Sequence, residues 1–453
     1  MQALECTVSH QGAEISRLGR LIDQKDKIIR ELKFRLSKYE EPPKDSHNSS
    51  VPPSQNPIDK KVSLRTQSLR KPSGKPSGGQ PGHKGHFLET SAHPNLIIDH
   101  QPEFCQCCGM TLNNIAAKVM ETAQIIEIPP VVPVVTEHIS YGKRCTCGHL
   151  NVCELPKVCR GRISYGPMVQ SLVGYLGHVQ SISFNRICET LRDVFALSIS
   201  EGTVRNMLKR LGTLSTDAYE EIRKRVESSS VVGGDETGTF VGGNLHWGWV
   251  FQTPLLTYAF QDSSRGIAAV EKHYPNHFPK SVMVSDRHGT YFKLKVKEHQ
   301  VCIPHILRNT TYLSELDTGQ TWSKRLIELL QEAIHYRKEV SDVTQSAIQE
   351  YAQRLDGLLS ENLDALHEDF NKLRKGLIKV QQYIFTFLTN SKVPNDNNAS
   401  ERAIRKIKVK QKVSGGFRTE DGADIFMKIH SLAETAKKNG NSKFNVLLAV
   451  AKQ

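Results

Sequence analysis

The stretch SSSVVGGDETGTF, residues 228–240, decides the fold. Before it, apolar residues recur every three or four positions, as on helices. From it onward they alternate or run together, as in strands. Val231 and Val232, two glycines and an acid read as the first, central strand of a sheet, ended by Asp235. LHWGWVFQ (245–252) and LLTYAFQ (255–261) read as the next strands, with glycine-rich connections fit for hairpins. A short helix is expected near 264–274. VMVSD (282–286) is a buried strand ending in an acid, and HQVCIP (299–304) is another strand. Residues 305–390 are almost all helical. Pro394 breaks that pattern. In NDNNASERAIRKIKVKQK (395–412), Asn397 or Asn398 is placed to cap a helix carrying Glu401. The outcome is a multidomain α/β chain, with its core over 229–412, a helical insertion at about 318–390 and a C-terminal helical segment over 413–453.

Working outward, residues 161–228 read as a helical domain. MVQSLVGYLGHVQ (168–180) has helical spacing, and SFNRICETLRDVFALSISEGTVRNMLKRL (183–211) reads as helix, turn, helix. Ser198 and Glu201 fit a capping box at the start of the second helix. This is the shape of a helix-turn-helix, a DNA-binding unit. Residues 1–40 hold a helix in which Ile15, Leu18, Ile22, Ile29, Leu32, Leu36 and Tyr39 occupy heptad positions, with Lys25 breaking one. That pattern favours a zipper and a homo-oligomer. Residues 41–104 read as a Pro/Gly/Ser-rich linker. From Lys60 to Lys84 it carries seven Lys or Arg and no acid, as suits an arm along a phosphate backbone.

The chain has 453 residues and a formal net charge of +13, which favours a polyanionic partner such as nucleic acid. No apolar run reaches the roughly 18 residues of a membrane span. The first twenty residues lack the apolar stretch of a signal peptide, so a cytoplasmic location at the nucleoid is expected. Seven of the ten cysteines fall between 105 and 159, and such clustering without a secretion signal points to metal. In this module, 105–160, Cys105-x-x-Cys108 and Cys145-x-Cys147 are each followed by glycine, Gly109 and Gly148. Both fit knuckles that aim two thiolates at one structural Zn²⁺. Cys107 could replace Cys108; Cys153 and Cys159 lack such a turn. The intervening IIEIPPVVPVVTEHISYGKR (125–144) reads as short edge strands.

Asp235, Asp286 and Glu401 sit where a sheet can gather them: at two strand ends and in the first turn of a helix. Convergent carboxylates repel one another unless cations intervene. Hard oxygen ligands suit two Mg²⁺ or Mn²⁺ ions, the arrangement that serves phosphoryl transfer. The helix after Glu401 carries Arg402, Arg405, Lys406, Lys408, Lys410 and Lys412, a basic strip that, with Asn398, can hold DNA near the acids.

GGDETGTF, VSDRHGTYF, VCIPHILRN and NDNNASERAIRKIKV, together with GGQPGHKGH, the cysteine module and YGPMVQSLVGYL, resemble the DDE transposases of the insertion-sequence sixty-six group, of TnpC type. The resemblance runs from about residue 14 to the C-terminus. It implies a ribonuclease-H-like core with the Asp-Asp-Glu triad on Asp235, Asp286 and Glu401. The last two are 115 positions apart, which fits the helical insertion. The family's Cys-x-x-His-x-x-Arg segment falls on Cys302, His305 and Arg308; the latter two could face DNA phosphate near the metals. Where the family usually has glycine after the second Asp, this chain has Arg287 and His288. The expected function is binding of inverted-repeat element ends, phosphodiester hydrolysis and strand transfer, with small accessory proteins of the same element as possible partners. The rival readings are a catalytically inactive zinc-containing DNA-binding regulator and a structure-specific DNA nuclease on the same core.

Overall fold

A computed structural model describes residues 17–29, 42, 44–49, 82, 84 and 89–453. The rest of the expected zipper and most of the basic linker lie outside the described residues. Contacts divide the chain into a larger unit (1–69, 156–187 and 201–453) and a smaller one (70–155 and 188–200).

Helix α1, residues 17–29, leaves Leu18, Leu21, Ile22, Ile28 and Ile29 exposed. In the smaller unit, β1 (Gly142–Arg144) and β2 (Leu150–Val152) form an antiparallel hairpin around the second cysteine pair. The strands expected within 125–141 are absent. Pro129, Pro130 and Pro133 remove ladder donors there, and Ile125 and Val134 stay more than 90% exposed.

Helix α2 (Pro167–Gly174) opens on a proline, whose missing N–H costs nothing in a first turn, and runs into one π turn, Tyr175–Val179. Then come α3 (Phe184–Phe195), α4 (Glu201–Leu214) and α5 (Thr216–Glu227), so both helices of the expected helix-turn-helix form.

The larger unit is built on five strands: β3 (Val231–Val241), β4 (Asn244–Gln252), β5 (Thr257–Asp262), and, after α6 (Ile267–His273), β6 (Phe278–Ser285) and β7 (Val296–Val301). Their order is β5-β4-β3-β6-β7; β3, β4 and β5 are antiparallel neighbours, while β3, β6 and β7 run parallel. Gly242 (φ 58°) and Gly243 (φ 83°) make the β3–β4 turn, where two left-handed residues match the twist of the strands. Strand β3 is central, as expected, but does not end at Asp235: Glu236 through Val241 continue it against β4.

Helices follow: α7 (Ile303–Leu316), α8 (Trp322–Glu339), α9 (Gln345–Ser360), α10 (Glu368–Ile378), the short α11 (Thr386–Thr389), α12 (Asn398–Ser414), α13 (Glu420–Lys438) and α14 (Lys443–Ala451). Pro304 starts α7, Thr344 and Thr419 cap α9 and α13, and left-handed Gly415 (φ 71°) ends α12.

Strand alternation sends Val231, Val282 and Val284 to one face, where α7 to α11 cover them. Val232 and Met283 face the other way, into an aromatic layer of Trp249, Phe251, Tyr258 and Phe260 roofed by α5, α6, α13 and α14. Helix α12 packs Ala403, Ile404 and Ile407 on Val250 and Ala259. Both faces are thus buried, as a sheet with parallel strands requires.

Candidate active site

The last parallel pair between β3 and β6 is Gly233 with Val284, so the two strands part just before Asp235 and Asp286. Asp286 is the first residue beyond β6. Burial raises the Asp235 carboxyl well above the usual carboxylate range, and the charges of Glu236, Asp286 and Glu401 push it further. Burial also raises Asp286, against the opposing effect of the His288 N–H that donates to its Oδ1 at 2.8 Å.

Asn397 ties the start of α12 to the sheet. Its Nδ2 donates to the Gly234 carbonyl at 2.7 Å, its Oδ1 accepts from Ser400 Oγ at 2.6 Å, and its N–H donates to Cys302 Sγ at 3.2 Å. Sequence reading assigned Asn397 or Asn398 to capping. Asn397 holds the N-cap place, but its side chain makes no cap bond, because its Oδ1 accepts from Ser400 Oγ while its Nδ2 satisfies the buried Gly234 carbonyl. Asn398 donates its N–H to Asp396 Oδ1 at 2.9 Å. The clamp is one residue from the Gly234 neighbour Asp235 and four residues from Glu401. A Cβ on Gly233 would come within 2.5 Å of Gln252 Nε2 and 2.7 Å of Ser400 Oγ, so this approach needs glycine.

Glu401 Oε1 is buried without a hydrogen bond. It lies 3.7 Å from His305 Nε2 and 3.8 Å from Arg308 Nη2, both on α7. Burial, with Arg308 and Arg287 nearby, pushes His305 down to about 3, so its imidazole is neutral.

Glu236 adjoins Asp235 in the chain. Pleating turns it to the opposite face from Asp235, where its side chain is 2% exposed. Arg265 donates to its Oε1 through Nε (3.0 Å) and Nη2 (2.8 Å), and Tyr291 OH donates to Oε2 at 2.6 Å. Arg265 also lies 4.5 Å from the Trp247 ring centroid. Only its adjacency to Asp235 hinted at Glu236; Arg265 and Tyr291 carried no signal.

The acids suit hard cations: Asp235 is costly to ionise alone, and Glu401 keeps a buried oxygen unpartnered. Asp235, Asp286 and Glu401 do not all lie within 4.8 Å; among the described residues the group that does is Cys302, His305 and Glu401. Cys302 fits a metal poorly, since burial pushes its thiol far up and its sulfur already accepts from Asn397.

Of the expected DNA contacts, Arg402 and Arg405 are exposed and Lys406 is half-buried on α12. Lys410 is buried and leaves that strip, because the helix face that covers β4 passes through it.

In the smaller unit each cysteine pair forms its turn. Gly109 N–H donates to the Cys105 carbonyl at 2.9 Å and Gly148 N–H to that of Cys145 at 2.8 Å, with both glycines left-handed (φ 75° and 89°). Backbone N–H groups of Cys108 and Cys107 hold the Cys105 thiol below its ordinary range, and that of Cys147 does so for Cys145. Cys105, Cys108, Cys145 and Cys147 do not form a group within 4.8 Å. Preformed sites are uncommon without the ion that assembles them.

Half-buried carboxylates at the parting of two parallel strands, with an arginine and a neutral histidine beside them, are of the chemistry that suits hard cations and anionic substrates. The Transposase IS66 family matches residues 162–425, more than half of the chain, and the chain belongs to this family. Membership implies an enzyme of DNA transposition that binds DNA and uses divalent metal. No curated protein matches the sequence. No helix among the described residues is long and apolar enough to cross a membrane.

Proposed function

We propose that the chain cuts and rejoins DNA at the ends of its element, with Asp235, Asp286 and Glu401 as ligands for two Mg²⁺ or Mn²⁺ ions. The observation that carries this reading is the convergence of three distant segments: β3 and β6 part just before Asp235 and Asp286, and Asn397, four residues before Glu401, donates to the Gly234 carbonyl at 2.7 Å. When bound, such ions activate the attacking oxygen and stabilise the leaving one. Asn397 keeps the Glu401 helix against β3, and Glu236, gripped by Arg265 and Tyr291, steadies the strand that carries Asp235. Arg308, with His305, Arg402, Arg405 and Lys406, meets strand phosphates. The sheet order, with its antiparallel β3–β5 and parallel β3, β6 and β7, supports a ribonuclease-H-like core spanning 229–412.

The remaining segments have roles on this reading. Residues 105–160 hold one structural Zn²⁺ through Cys105, Cys108, Cys145 and Cys147. The helical domain 161–228 and the basic linker 41–104 grip the inverted-repeat ends. The heptad helix within 1–40 pairs protomers so that two ends are processed together, with small accessory proteins of the same element as possible partners.

Purified protein incubated with DNA carrying the element's ends and Mg²⁺ is expected to nick it and join the freed 3′-hydroxyl to a second duplex. Asp235→Ala should abolish both steps while leaving DNA binding within about twofold. Cleavage that survives Asp235→Ala overturns the assignment of the triad. Cleavage without joining identifies a nuclease, and a wild-type protein that binds without cutting identifies a regulator.

A further inference from the structure

Residues 44–49 lie in the stretch read as linker, yet they form a built turn. Asp45 Oδ1 accepts from the N–H groups of His47 (2.7 Å) and Asn48 (3.2 Å), and Asn48 Oδ1 accepts from that of Asp45 (2.8 Å). Asn48 Nδ2 donates to Glu315 Oε2 on α7 at 2.7 Å, and Asp45 and Asn48 are buried. The turn brings Lys44 Nζ to 4.7 Å from the Tyr312 ring centroid.

Between this turn, α7 and α10 opens a cavity of about 360 Å³ whose lining includes Lys44, Arg287, Asn309, Tyr312, Asp369 and Lys372. Lys372 is committed to Glu368 (2.5 Å) and Asp369 (3.1 Å). The Arg287 guanidinium and the Asn309 amide have no hydrogen-bond or ion-pair partner among the described residues. A half-buried arginine fork facing an amide and a lysine presents the donors that a tetrahedral oxyanion takes, and one neutralised carboxylate does not oppose it. Arg287 directly follows Asp286, so the cavity adjoins the acids. On α7, His305, Arg308, Asn309 and Tyr312 fall at i, i+3, i+4 and i+7. They form one face running from beside Glu401 to the cavity, roughly 10 Å along the axis.

We infer that this cavity seats a backbone phosphate of the DNA strand that enters or leaves the acid site. The inference rests on the DNA-processing reading above, but not on its two-metal chemistry. Free phosphate shares the anion's chemistry, and the test separates the two sources.

Binding of full-length, zinc-loaded protein to a generic 30-base-pair duplex is measured without added Mg²⁺ or Mn²⁺ across a salt series. Each strand phosphate contact adds about one to the slope of log affinity against log salt. Arg287→Gln is expected to lower the slope by up to about one, Lys44→Gln by a smaller measurable amount, and Arg287→Lys to restore it. An unchanged slope in a normally melting Arg287→Gln protein overturns the inference. If that variant melts low, exposed Lys44 decides, and an unchanged slope in Lys44→Gln overturns it. Inorganic phosphate that raises the melting temperature of wild type but not of Arg287→Gln, with equal DNA slopes, assigns the cavity to the free anion and also overturns it. Neither Mg²⁺, Mn²⁺ nor cleavage enters the measurement, so failure of the triad in the cleavage assay leaves this result readable.

Discussion

Gly233 has no room for a side chain, and the atoms it would strike are those that hold the Glu401 helix. Gly233→Ala forces its Cβ to 3.1 Å from Asn397 Oδ1 and closer still to Ser400 Oγ and Gln252. Overpacking of this kind costs about 1–3 kcal/mol. The expected outcome is a lowered melting temperature together with at least a tenfold loss of cleavage rate. A variant that cleaves normally shows that the approach of α12 to β3 is not needed. A different residue effect comes from His178 and His430, which flank Phe426 at ring-centroid distances of 5.5 and 5.8 Å. Burial pushes them down to about 3 and about 4, whereas histidine in an unfolded chain titrates near 6.5. Above pH 6.5 both states are neutral and the packing is fully stabilising. As pH falls from 6.5 toward 4, the unfolded chain takes up protons that the folded one refuses. Each histidine then withdraws up to about 1.4 kcal/mol of stability per pH unit. Melting temperature should therefore fall from pH 6.5 to 5, and His178→Leu with His430→Leu should flatten that fall; an equally steep decline in the double variant refutes the assignment.

At the scale of elements, α12 is attached to the sheet by a single side chain as well as by its apolar face. Asn397→Ala leaves the buried Gly234 carbonyl without its donor, at about 1–3 kcal/mol. Cleavage should suffer more than folding, since Glu401 rides on the first turn of the loosened helix; measuring thermal unfolding and strand cleavage on the same preparation checks this, and equal retention of both counts against it. Much of this architecture was legible in the sequence. The Gly242–Gly243 pair between alternating runs announced the β3–β4 hairpin, and VMVS announced β6, because strand periodicity is written in which residues are apolar. The helices from α7 to α11 were legible for the same reason. The place of Asp235 within its strand was not: the Val-Val-Gly-Gly-Asp run suggests a strand end there, whereas β3 pairs with β4 at nine positions, from Gly233 to Val241. In the opposite sense, Val131 to Val135 look like strand, but their prolines deny them a ladder. The three acids could be picked out by type and place. Tyr291 and Arg265 could not, nor could the tie of Asn397 to Gly234, because these roles arise from partners more than twenty-five positions away. The turn at 44–49 was hidden by the composition around it, and only the buried pair Asp45 and Asn48 sets it apart from a tether.

Over the whole molecule, the smaller unit's chain between the cysteine pairs buries almost nothing, so on the proposed reading its order rests on the zinc more than on a core. About one zinc per chain is expected by metal analysis, and Cys145→Ser with Cys147→Ser should remove it while leaving the unfolding of the larger unit in place; zinc content untouched by that double change excludes those ligands. The larger unit has apolar clusters of its own. Its helical insertion shares one apolar cluster with the strands that carry the acids, from Val231, Val282 and Val301 through Trp322, Leu355 and Phe370 to Leu388. Those helices therefore act as the roof of the sheet and not as an ornament beside it. An excised version lacking residues 318–390 would leave one side of β6 and β7 wet, so the segment is expected to melt together with the strands beneath it, in one step, and a trimmed minimal enzyme is out of reach for this chain.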